Sequence, residues 1–242
     1  MYAINTIKLT KKYKDIVAVD HLDLQVKKGE LLSLLGVNGA GKTTAIKMLA
    51  CLSEPTSGDA FLNGKSILKD IADVKKIIAV SPQETAVSPT LSVYENLEFM
   101  CGVYGFSKDK TREKINEIVE TLSLETVINK KANKLSGGWQ RRLSIALALI
   151  GEPEILFLDE PTLGLDVLAR SELWDLIRAL KTSTTIILTT HYLEEAEELS
   201  DRIAIMKNGK LLICDTAENI KNLADTDTFE KAFVRIVKGE VK

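Results

Sequence analysis

Three short runs limit most strongly what this chain can fold into: "LLSLL" at 31–35, "ILFLD" at 155–159 and "TTIILTT" at 184–190. The first is too apolar to leave one face in water, so it predicts a strand covered on both sides, as in parallel sheets. The second and third carry the same strand character, and the stretch 167–181 between them has helical spacing. That alternation is the βαβ rhythm of a parallel sheet. Around this core, residues 3–9 and 16–26 read as further strands. "SGDAFLNGKSI" predicts a hairpin turning at Asn63-Gly64, and "RIAIMKNGKLLIC" another at Asn208-Gly209. Between them the pattern becomes helical, with Ile115, Ile118, Val119 and Leu122 on one face of a charged helix. The expected organisation is one domain over 1–242, with an inserted helical subdomain at 85–150 and a C-terminal helical tail at 220–242.

Directly after LLSLL comes "GVNGAGKTT", three glycines, one lysine and two threonines in residues 36–44. Gly36, Gly41, Lys42 and Thr43 fit GxxxxGK[ST], set between a predicted strand and a predicted helix as a phosphate-binding loop requires. Glycine leaves no side chain between the backbone amides and an anion, so the loop can wrap a phosphate. The helix that follows adds its positive end, Lys42 a point charge for the outer phosphates, and Thr43 a hydroxyl for a magnesium ion. The predicted binding set is Gly36, Asn38, Gly39, Ala40, Gly41, Lys42, Thr43 and Thr44.

A cradle alone binds; hydrolysis also needs a metal ligand and a group that orients water. Asp159 ends an apolar strand, where its carboxylate can reach a metal held by Thr43. Glu160, one residue on, can act as the general base. Such a pair also occurs as solvated acids after a core strand; the phosphate loop in the same chain argues for the catalytic reading.

"KLSGGWQRRLSIALAL" narrows the field. Its Leu135-Ser136-Gly137-Gly138 resembles the signature motif of the ATP-binding cassette (ABC) ATPases, the nucleotide-binding subunits of ABC transporters, and precedes the Asp-Glu pair as in that family. Ser136 can cap the following helix, while Gly137 and Gly138 expose amides at its positive end, a second anion site. The resemblance covers nearly the whole chain. It implies an α/β P-loop NTPase (RecA-like) fold, with a mostly parallel sheet core, an N-terminal antiparallel β subdomain and an inserted helical subdomain. It further implies a head-to-tail dimer sandwiching two Mg-ATP.

Other roles follow only from that resemblance. Tyr13 stands where the family stacks an aromatic on adenine, against an ordinary surface or core tyrosine. Gln83 in "SPQE" matches the glutamine that touches metal and water, and Asp166 in "TLGLD" the aspartate that links the two sites, against simple helix capping. His191 matches the histidine at the terminal phosphate. The implied catalytic set is Glu160, His191, Gln83 and Lys42, and the metal set Thr43, Gln83 and Asp159. Val37, Trp139 and Leu147 depart from the residues frequent in the family. His21 is expected at the surface, and the acidic run "LEEAEE" at 193–198 as a solvated helix face.

Composition bounds the partners. With 242 residues, 45% hydrophobic and 27% charged, the chain can bury a sizeable core, and a net charge of -2 supplies no bulk attraction for nucleic acid or anionic lipid. Three cysteines without a CxxC pair suit a reducing compartment. No run of about 18 apolar residues offers a membrane span. The resemblance implies a separate membrane-spanning permease and a second ABC subunit, identical or related, as partners, and no nucleic acid is expected. The expected location is cytoplasmic, on the inner face of the cell membrane, and the expected direction export. The alternative is an ABC-type ATPase that regulates a soluble assembly.

Overall fold

A computed structural model describes residues 2–241. The chain runs β1 (Tyr2–Tyr13), β2 (Ile16–Leu22), β3 (Gln25–Lys27), β4 (Leu31–Leu35), α1 (Lys42–Leu49), β5 (Ser57–Leu62) and β6 (Lys65–Ser66). It continues through α2 (Ile71–Ile77), β7 (Ile78–Ser81), α3 (Val93–Val103), α4 (Lys108–Thr121), α5 (Gly137–Leu149) and β8 (Ile155–Asp159). Then come α6 (Val167–Leu180), β9 (Thr185–Thr190), α7 (Leu193–Leu199), β10 (Arg202–Lys207), β11 (Lys210–Asp215), α8 (Ala217–Leu223) and α9 (Phe229–Lys238).

Six strands form the central sheet in the order β11-β10-β4-β9-β8-β7, parallel except for the β10–β11 hairpin. Five more form an antiparallel sheet, β2-β1-β5-β6 with β3 also on β1. The apolar runs are explained by burial on both faces. Side chains alternate across a strand, so Leu156 and Leu158 of β8 enter one core with the helices α3 to α6, while Ile155 and Phe157 enter the other, with α1 and the antiparallel sheet. Each such side chain contributes about 1.5–3 kcal/mol when fully buried. A third, smaller core joins Ile203 and Ile205 of β10 to α7, α8 and α9.

Both predicted hairpins are present, and 16–26 is two strands rather than one, broken at 23–24. Four-residue β7 escapes a sequence reading because it is short and lies on the edge of the sheet. Helices α3, α4 and α5 occupy the interval between β7 and β8, and Ile115, Ile118 and Leu122 are buried as their spacing predicts. The α3 start is fixed by a reciprocal cap: Glu95 N donates to Ser92 Oγ at 3.2 Å, and Ser92 N to Glu95 Oε2 at 2.6 Å. His21 is exposed. All three cysteines are free, Cys101 buried and Cys51 and Cys214 half-buried.

The acidic run 193–198 is not simply a solvated face. Glu195 is fully buried, inside α7, so the spacing of like residues concealed one that points inward.

Candidate nucleotide site

Parallel strands direct their carboxyl ends to one rim, where open α/β sheets bind ligands. Register aligns that rim: Leu35 pairs with Thr190, Asp159 with Thr189, and Ser81 with Leu158. The chain therefore leaves β4 into the glycine loop, β8 into Glu160, β9 into His191 and β7 towards Gln83, all at one level.

The loop is held tightly. Gly41 has φ 103°, and a side-chain carbon there would meet the Ala18 carbonyl oxygen at 2.4 Å, so only glycine fits. Lys42 is buried, and its Nζ donates to the Gly36 carbonyl at 2.7 Å. Burial pulls its ammonium below the usual lysine range, and the charges of Glu160 and Asp159 oppose that shift. The nearer of them, Glu160 Oε1, is 3.8 Å away.

Asp159 Oδ1 accepts from Thr43 Oγ1 at 3.2 Å and from the Thr189 hydroxyl. Glu160 sits in left-handed backbone at φ 47°, held there by Thr189, whose carbonyl and hydroxyl accept from its N–H at 3.1 and 3.0 Å. Such strain in a non-glycine residue persists only when its surroundings impose it. His191 Nδ1 lies 3.2 Å from Glu160 Oε2, without the alignment of a hydrogen bond.

Around these groups opens a cleft of about 800 Å³ lined by Tyr13, Asn38 to Thr44, Gln83, Glu160 and His191. Tyr13 is half exposed on its wall, with Lys11 Nζ 5.0 Å from the ring centroid. Gly36 and Asp159 stand behind the lining.

Ser136, Gly138 and Asp166 are elsewhere, on a separate cleft of about 240 Å³ shared with Trp139 and Arg142. Gly137 adjoins it at the first turn of α5. Ser136 occupies the N-cap position of α5 but makes no side-chain capping bond, which leaves its hydroxyl free. Asp166 does cap its helix: Oδ1 accepts from Ala169 N at 2.9 Å. The Arg142 guanidinium lies over the Trp139 ring at 4.7 Å, and Leu147 is buried in the core. Val37 is half exposed.

Two residues of this region have no distinguishing mark in the sequence. Thr189 anchors both acids; its only signal is a hydroxyl inside an apolar strand. Arg141, on α5 and almost fully buried, donates to the carbonyls of Pro82 and Gln83 at 2.7 Å each, so the helix that starts at the signature glycines holds the Gln83 loop. Burial lowers its pKa, and Asp159 and Glu195 counter this. Arg141→Met leaves two carbonyls unpaired in a buried place and is expected to cost about 2–4 kcal/mol in urea unfolding. A loss below about 0.5 kcal/mol would place those carbonyls in water instead.

The donors that converge beside Lys42 are the Thr43 hydroxyl and the Asp159 carboxylate, with the Gln83 amide on the cleft wall. Oxygen donors with a single carboxylate fit a hard cation that keeps water and substrate phosphates as its other ligands. Among the described residues no group of three His, Cys, Asp or Glu side chains could hold a metal by itself.

Strand order, glycine loop and acid pair define a P-loop NTPase. A family model described as ABC transporter matches residues 19–163. The doxorubicin resistance ATP-binding protein DrrA of Mycobacterium tuberculosis is 38% identical over 236 residues, 97% of this chain and 71% of DrrA. Human phospholipid-transporting ATPase ABCA3 is 41% identical over 208 residues, 86% of this chain, which spans 12% of ABCA3. Among solved structures, a dimeric post-hydrolysis state of the ATP-binding cassette MJ0796 bound to ADP and Pi superposes with a TM-score of 0.78 at 29% identity, covering 88% of this chain and 98% of that one. This chain belongs to the ABC transporter ATP-binding family.

Proposed function

We propose that the protein hydrolyses ATP and powers export through a membrane-spanning permease on a separate polypeptide. The observation that carries this reading is the separation of the two clefts. The glycine loop, Glu160 and His191 share one, while Ser136, Gly138 and Asp166 share the other. Each is half a nucleotide site, so two copies, or this chain and a close relative, would complete two sites head to tail. The MJ0796 dimer supports that arrangement, and the name of DrrA supports export.

In the complex, the loop amides and Lys42 bind the triphosphate, with Lys42 exchanging its carbonyl contacts for phosphate oxygens. Tyr13 stacks on the base. Thr43, Asp159 and Gln83 would hold Mg2+, which when bound neutralises phosphate charge. Glu160 orients water and takes its proton, while His191 contacts the terminal phosphate. Ser136 and the amides of Gly137 and Gly138 close over that phosphate from the partner, and Asp166 joins the sites. ATP favours the closed dimer because it binds both chains there and only one in the open state. Its hydrolysis removes the bridge.

None of the helices among the described residues is long and apolar enough to cross a membrane. The working location, taken from the family, is peripheral on the cytoplasmic face, with the segment from Gln83 to Tyr104 as the docking surface. The test is purification of the tagged protein from gently solubilised membranes. Stoichiometric recovery of a polytopic partner whose presence stimulates ATP turnover is expected; recovery with a soluble assembly instead would favour the regulatory alternative.

A further inference from the structure

A buried polar cluster surrounds Glu195, four residues beyond His191 in the chain. Glu195 of α7 is fully buried, and its Oε1 accepts from Trp174 Nε1 of α6 at 3.1 Å. Burial raises the pKa of this carboxyl, while the facing hydroxyls of Thr190 and Thr162, the Trp174 bond and the Arg170 charge draw it back. Thr162 Oγ1, Arg170 Nε, His191 Nδ1 and Glu195 Oε2 all lack a hydrogen-bond partner; of such buried side-chain atoms among the described residues, only Asn63 Oδ1 lies elsewhere. Buried polar atoms are nearly always paired. Here Trp174 Nε1 supplies the direct bond to Glu195, and the Thr162 and Thr190 hydroxyls face its carboxylate.

The cluster also joins the two clefts. Helix α6 begins next to Asp166, beside the signature glycines, and carries Arg170 and Trp174. The Arg170 guanidinium lies over the Tyr192 ring at 4.8 Å, and that ring is 4.3 Å from the His191 ring. Helix α6 thus touches the segment that follows His191 at two points, Trp174 on Glu195 and Arg170 on Tyr192.

We propose that Glu195 is a positioning residue for hydrolysis: bonded to α6, it fixes His191 against Glu160 and passes the position of the Asp166 end of α6 to the phosphate cleft. The proposal rests on the ATPase reading above. It acts through His191 and not on nucleotide directly, which makes a double-mutant cycle decisive.

Steady-state ATP turnover is measured for the full chain and for His191→Ala, Glu195→Ala, Glu195→Gln and the alanine double variant. Glu195→Ala is expected to lower kcat about tenfold with KM within about twofold, since only transition-state geometry is lost. Glu195→Gln, whose amide oxygen still accepts from Trp174, should recover to within about threefold of the parent. In the His191→Ala background, Glu195→Ala should cost less than about twofold further. Multiplying losses, or a Glu195→Ala enzyme with parental kcat, would overturn the proposal and leave the ATPase reading standing. A His191→Ala enzyme with parental kcat would overturn both the proposal and the role given to His191. Should Glu195→Ala fail to fold, Trp174→Phe, which removes the Nε1 donor and keeps an aromatic ring, enters the same cycle with the same deciding outcomes.

Discussion

Glu160→Gln is expected to slow ATP turnover by about 10²–10⁴-fold while leaving ATP binding intact, because an amide keeps the shape of the carboxylate and cannot take a proton. The geometry gives the reason. The acid follows β8 on left-handed backbone, held by Thr189, and faces Lys42 at 3.8 Å and His191 at 3.2 Å. A change confined to charge should disturb none of these positions. Removing a negative charge beside the triphosphate also lowers repulsion in the bound state, so affinity should hold or rise. With hydrolysis blocked, the proposed nucleotide bridge between two chains should persist, and the variant should elute as a dimer in Mg-ATP and as a monomer without it. Parental turnover would remove Glu160 as the base; a monomer at saturating ATP would remove the shared-site mechanism.

Lys42→Ala should act one step earlier, on binding. The ammonium is buried, bonded to the Gly36 carbonyl at 2.7 Å and surrounded by the loop that would hold the phosphates. Hydrogen bonds to charged groups contribute about 1.5–3 kcal/mol each, so ATP affinity is expected to fall on the order of tenfold to a hundredfold. Calorimetric titration of ATP checks this directly. Retained affinity with lost turnover would move Lys42 from the cradle to the chemistry. The pair of variants thus separates grip from hydrolysis.

Much of this site was legible in the sequence because its parts are local. The glycine loop is one contiguous strand-loop-helix segment, and Asp159-Glu160 ends one apolar run; each motif carries its own backbone requirement. The hairpins at Asn63-Gly64 and Asn208-Gly209 were legible for the same reason, since a tight turn is decided by the residues within it. Arg141, Thr189 and Glu195 were not. Nothing in "WQRR" tells that Arg141 reaches the Pro82 and Gln83 carbonyls while Arg142, also buried, lies over Trp139, and nothing in "LEEAEE" separates the one buried acid from its solvated neighbours. Ser136 reads as a helix cap by type and position, yet its hydroxyl makes no such bond.

By itself the sequence determined the class of fold and where the glycine loop and the Asp159-Glu160 pair fall along it, because hydrophobic period and glycine freedom act over a few residues. Only the tertiary structure decided that β9 stands between the strands leading to the loop and to the acids, that the signature glycines face a different cleft, and that Glu195 ties α7 to α6. Those outcomes depend on strand register and helix packing between residues far apart in the chain, which no local pattern encodes.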